Sequence, residues 1–88
     1  MSDELDLRKG VERASHAQRL LEDEMLKEAF DNYERELSAA WLSEAGTPHT
    51  REQAYWAMRA LSAVRASLEN IMADGVLAKR ELDGILDR

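Results

Sequence analysis

The chain contains no cysteine, which excludes disulfides, thiolate metal sites and a cysteine nucleophile. It has one proline, and its four glycines (Gly10, Gly46, Gly75 and Gly84) are too scattered to form a phosphate-cradling loop. Histidine is limited to His16 and His49. Glu12 and His16 lie four apart, and no second histidine falls in a helical segment, so the paired Glu-x-x-His set of di-metal bundles is missing. A Ser/His/acid arrangement is missing too. No catalytic residues, cofactor or metal are therefore expected, and the chain does not read as an enzyme. No apolar run approaches the ~20 residues that span a bilayer, and no signal-peptide pattern opens the chain. The expectation is a cytoplasmic protein without a membrane partner. A basic surplus is also lacking: 12 Lys and Arg stand against 18 Asp and Glu, a net charge of −6. A general nucleic-acid coat needs the opposite balance.

What is present is helical periodicity over nearly the whole chain, read as one helical domain, 1–88. In segment 4–22, Leu7, Val11, Ala14, Ala17 and Leu21 make an apolar stripe. In 24–45, Leu26, Ala29, Phe30, Tyr33, Leu37, Ala40 and Trp41 share one face, with Lys27, Glu28, Asp31, Glu34 and Arg35 largely opposite. In 51–73, Ala54, Ala57, Met58, Leu61, Val64, Leu68, Ile71 and Met72 form a broad seam, and Trp56, Ala60, Ala63 and Ser67 form a second stripe beside it. The small residues of that stripe admit another helix close to Trp56.

Punctuation separates these segments. Asp23 reads as an N-cap and predicts a break between the first two. Gly46 suits a left-handed position past a helix end, Pro48 a stop, and Thr50 with Gln53 a capping box. Asp74-Gly75 reads as a further stop, leaving a short helical tail over 76–88. The expected fold is all-α: an antiparallel helical hairpin (24–45 and 51–73) with an N-terminal helix and a C-terminal tail, assembled into an oligomeric helical bundle.

Charge is uneven. Residues 1–46 hold twelve acids and six bases, whereas residues 47–88 are balanced. Glu28, Asp31, Glu34 and Arg35 mark a candidate face for a protein partner. Arg8, Lys9, Arg13, His16 and Arg19 fall within one arc of the first helix, open to charge pairing, to solvent or to phosphate contact. Arg65 sits at the edge of the apolar arc, where its stem either covers apolar surface or its guanidinium meets a carboxylate such as Glu36 or Glu44.

Burial is marginal at this length, and Trp56 lies off the main seam of its helix. A flank that broad predicts a missing partner surface. Cover comes either from the first helix, in a three-helix unit, or from a second copy, in a four-helix bundle. A homo-oligomer is favoured, a dimer first, held by Phe30, Tyr33, Leu37, Trp41, Trp56, Met58, Leu61, Val64, Leu68 and Met72.

Leu20-Leu21-Glu22-Asp23, then Leu26 and Glu28-Ala29-Phe30, Ala40-Trp41, Arg51-Glu52, Trp56, Ala60-Leu61, Val64-Arg65, and Asp74-Gly75 with Leu77-Ala78 together resemble small uncharacterised helical proteins encoded in tailed-bacteriophage and prophage genomes of proteobacteria. The resemblance covers about residues 14–82 and brings no catalytic residues. It implies a role in virion assembly, DNA packaging or host takeover. The function expected is a non-enzymatic, self-associating assembly or adaptor protein. Two alternatives stand beside it. One is a DNA-packaging subunit contacting nucleic acid through Arg8, Lys9, Arg13 and Arg19. The other is an acidic inhibitor of a host nuclease or defence complex.

Overall fold

The computed structural model describes residues 3–87; Met1, Ser2 and Arg88 of the expected 1–88 domain lie outside the described residues. Three helices follow one another: α1 (Glu4–Glu22), α2 (Glu24–Leu42) and α3 (Pro48–Leu86), with no strand among the described residues. Among the described residues no helix is long and apolar enough to cross a membrane.

Each boundary has a local cause. Asp3 caps α1, its Oδ1 accepting from the Asp6 N–H at 2.8 Å, with Glu4 and Asp6 set favourably in the first turn. Asp23 does two jobs. Its N–H donates to the Leu20 carbonyl, closing α1, and its Oδ1 accepts from the Leu26 N–H at 2.9 Å, opening α2. One residue at φ −65°, ψ 122° thus breaks the helix with no loop, where the sequence predicts the break.

The second boundary differs from expectation. Helix α2 ends at Leu42 rather than near Ala45, and Gly46 has no left-handed backbone; its N–H donates to the Ser43 carbonyl at 3.1 Å in a tight turn. The cap of α3 is Thr47, not Thr50. The Thr47 hydroxyl accepts from the Thr50 N–H at 3.2 Å, and the Thr50 hydroxyl accepts from the Thr47 N–H at 2.9 Å. Threonine takes the place that Glu or Gln holds in the usual box. Pro48 opens the helix instead of stopping its predecessor, since the first helical N–H needs no partner.

The largest correction is at Asp74-Gly75. The helix does not stop there; it is unbroken over 39 residues, Pro48–Leu86, and 76–86 is its final stretch, not a separate tail. Gly75 is buried because α1 crosses on top of it. A Cβ at Gly75 would lie 2.0 Å from the Ala14 Cβ and 3.2 Å from the Gly10 carbonyl oxygen. Its value is close approach, not chain reversal.

Helix α3 is therefore a rod of about 58 Å at 1.5 Å per residue. Helix α1 lies along its C-terminal half and α2 along its N-terminal half, and α1 and α2 meet only at their joint. The result is a slab of 65 × 27 × 14 Å, one helix thick. Both broad faces are open, and no side chain among the described residues is completely enclosed. The core is a line rather than a volume: Leu7, Ala17, Leu37, Ala54 and Leu82.

Candidate interaction surface

The two broad faces of the slab follow from helix rotation. At ~100° per residue, Tyr55, Met58, Arg59 and Ser62 of α3 point to one side of the seam, and Trp56, Ala60, Val64 and Ser67 to the other.

The Tyr55 face is mixed in character. Trp41 and Tyr55 rings lie 6.2 Å apart, tilted by 44°. Below them a depression of about 330 Å³ is lined by Glu34, Ser38, Tyr55, Met58, Arg59 and Ser62. Arg65 crosses the seam here. Its guanidinium lies 5.1 Å from the Phe30 ring centre and 3.1 Å from Glu34 Oε1. The carboxylate partner is thus Glu34 rather than Glu36 or Glu44, and the guanidinium also lies over the Phe30 ring. Both members of the pair stay about 40% accessible, so it contributes under about 1 kcal/mol.

The Trp56 face is apolar. Trp56 is 61% exposed, and its only aromatic neighbour among the described residues is Tyr55, edge-on at 5.4 Å. From Gln53 to Ser67 the stripe Gln53, Trp56, Ala60, Ala63, Val64 and Ser67 carries no charge over four turns. Helix α2 adds Met25, Ala29, Tyr33 and Ala40 on the same side, and Met25, Tyr33 and Val64 are all well exposed. Val64, expected in the intramolecular seam, belongs to this open stripe. Near the joint the face dips into a hollow of about 120 Å³ lined by Ala17, Leu20, Leu68 and Ile71, with Arg13 and His16 at its rim.

Among the other residues expected in the core or interface, Leu37 is buried and Phe30, Leu61, Leu68 and Met72 are half-buried along the α3 seam. Tyr33, Trp41, Trp56, Met58 and Val64 are exposed. The structure does not gather these residues into one closed core. It divides them between a seam and two open faces.

The charged candidates separate as well. Glu28, Asp31 and Arg35 lie on the outer edge of α2, with Arg35 bound to the Asp31 carbonyl at 3.3 Å and Asn32 Oδ1 at 3.0 Å. Glu34 does not belong with them; it is turned inward to Arg65. On α1, Arg8, Lys9, Arg13 and Arg19 are exposed. Arg8 is occupied by Glu4 at 2.6 Å, and Glu12 lies beside Arg13, His16 and Arg19 in a shallow groove. No ion pair joins α1 to α2 among the described residues, so the basic arc is not neutralised by its acidic neighbour. No cluster of three or more metal-ligating side chains forms among the described residues.

The Trp56 face was legible from the second stripe of α3. The hollow at its end was not, because it needs Leu20 of α1 to meet Leu68 and Ile71 of α3, and the pattern of neither helix contains their mutual register. No family model, curated protein or solved structure matches the chain.

Proposed function

We propose that this chain is a non-catalytic, self-associating helical interaction subunit, a phage- or prophage-related assembly or adaptor component, whose Trp56 face packs on a second copy. The observation that carries the self-association is surface area. A compact monomer of 10.0 kDa exposes about 5,200 Å², whereas this subunit exposes 6982 Å². The excess is about 1,700 Å², and a stable interface takes about 800 Å² from each partner. Two slabs one helix thick, stacked face to face, make a four-helix cross-section, the usual way for paired helices to close a core. The phage-related assignment rests on the residue pattern quoted above.

Sedimentation velocity or light scattering across a concentration series tests the reading. A dimer mass is expected. Trp56→Ser should shift it to monomer while changing monomer unfolding by no more than about 0.5 kcal/mol, as for an exposed site. A strict monomer at high micromolar concentration overturns the proposal. The same samples, mixed with duplex DNA at ~50 mM salt, test the packaging alternative: a salt-sensitive shift lost on Arg13→Ala and Arg19→Ala would move the assignment to nucleic-acid contact.

A further inference from the structure

We infer that the exposed outer edge of the slab, the backs of α1 and α2, pairs antiparallel with the same edge of another copy about a two-fold axis at the Asp23–Glu24 joint. This contact is separate from the Trp56 face and stands or falls without it.

The joint places the axis. Helices α1 and α2 have 19 residues each, one residue links them, and both lie along α3, so the joint is the midpoint of that edge. A two-fold axis through it, perpendicular to the broad faces, lays α1 of each copy along α2 of the other. Arg19 and Glu28 are equally far from the joint, as are Glu12 and Arg35, and Leu5 and Leu42. Glu36 falls level with Val11, between Lys9 and Arg13. At ~100° per residue, Leu5, Glu12 and Arg19 point away from the α1 seam, and Glu28 points away from the α2 seam. Arg35 and Leu42 turn partly toward the Tyr55 side; Lys9, Arg13 and Glu36 lean toward the Trp56 side. The perpendicular axis keeps each side of one copy beside the same side of the other, so groups that lean alike meet. All of these side chains except that of Val11 are fully exposed.

The charges select this pairing. Glu12, the acid inside the basic arc of α1, lies opposite Arg35, the base on the acidic edge of α2. Arg19 lies opposite Glu28, and Glu36 lies between two cations. Lys9, Glu12, Arg13, Arg19, Glu28 and Glu36 have no ion-pair partner within the subunit among the described residues, so all are open to an outside one. At the far ends Leu5 and Leu42, 60% and 75% exposed, cover each other. An axis along α3 instead sets Arg19 on Arg19, Glu12 on Glu12 and Glu28 on Glu28. Two features keep the contact weak. The strip is roughly 10 × 57 Å, about 570 Å² per subunit against the ~800 Å² of a stable interface. In addition, Glu22, Asp23 and Glu24 of the two copies approach one another at the axis. Paired edges leave both Trp56 faces on one side, which doubles the width of that apolar surface.

The test traps this contact with introduced cysteines in the full chain, which has none of its own, on a Trp56→Ser background that removes the other surface. Oxidised singly, Leu5→Cys and Leu42→Cys should stay uncrosslinked, because like positions lie about 55 Å apart along the edge. Mixed, they should give a heterodimeric disulfide. Arg19→Glu in both chains should lower its yield several-fold, and the added Glu28→Arg should restore it. Glu24→Gln should raise the yield by thinning the carboxylates at the axis. Disulfides within the single-variant samples would make the arrangement parallel and overturn the inference. So would a mixture that forms no heterodimer, or one whose yield ignores the Arg19 and Glu28 exchange, since that is random collision. A wild-type monomer in solution overturns the Trp56-face reading and leaves this one to the crosslinking result.

Discussion

The two halves of the α3 rod bind their partners in different ways. The C-terminal half holds α1 through small residues: Gly75 lies under Ala14 and Gly10, and Gly10 lies under Ala78. Backbones approach closely there, and Leu7, Ala17 and Leu82 are buried along the line. The N-terminal half holds α2 through large and polar groups, Trp41 on Tyr55 and Arg65 between Phe30 and Glu34. Among the described residues fewer are buried there, Leu37 and Ala54 alone, and α3 touches α2 less extensively than α1. The contrast shows two ways of joining a pair of helices: small residues let the backbones meet and bury more of the line between them, whereas large side chains hold α2 further off. Neither seam covers its flanks, since Val76 and Leu77 are exposed in one half as Trp56 and Val64 are in the other.

The comparison is broken most severely by Gly75→Val. With the added atoms driven into Ala14, α1 must lift away, and a loss of about 3 kcal/mol or more is expected in chemical denaturation. Leu37→Ala removes the one buried leucine of the α2 seam and should cost about 2–3 kcal/mol, at the low end for such truncations because the site is open enough to relax. Hydrogen exchange in that variant should rise in α2 before α1, and equal rises would show the two seams to be one cooperative unit. Asp23→Ala removes the cap of α2 and should cost about 1 kcal/mol, read as a lower urea midpoint with unchanged slope. A Cβ placed on Gly84 would meet nothing within 4 Å, so Gly84→Ala should stabilise by about 0.5–1 kcal/mol through helix propensity alone. Gly75 and Gly84 thus make opposite forecasts, and a stabilising Gly75→Ala would remove the basis of the contrast.

The outline of the fold was readable where one residue type has one dominant use. Asp23 before a new apolar stripe marks a cap, and the end of α1 and the start of α2 follow from it. Glycine is different, since the same letter serves a helix stop and a close helix crossing. Asp74-Gly75 reads locally as the first, and what makes it the second is Gly10 and Ala14 near the other end of the chain, a relation that no local window contains. The turn at 43–47 misleads for a similar reason. Proline can follow one helix or begin the next, and the spacing of Thr47 to Thr50 decides which. The candidate face was half visible: Trp56 with Ala60 stands out as a stripe, but Val64 joins it only because Arg65 and Leu61 take the seam. Arg65 itself selects Glu34 because the length of the turn sets the register between α2 and α3.

Because α1 runs back along the far half of α3, Asp3 and Asp87 emerge at the same tip of the particle, and the 43–47 turn caps the opposite tip some 65 Å away. Fluorophores placed at Asp3 and Asp87 should therefore show high energy transfer to each other and little to one placed at Glu44. The rod of α3 thus separates two poles of different make-up, one where α1 begins and α3 finishes and one formed by a single tight turn.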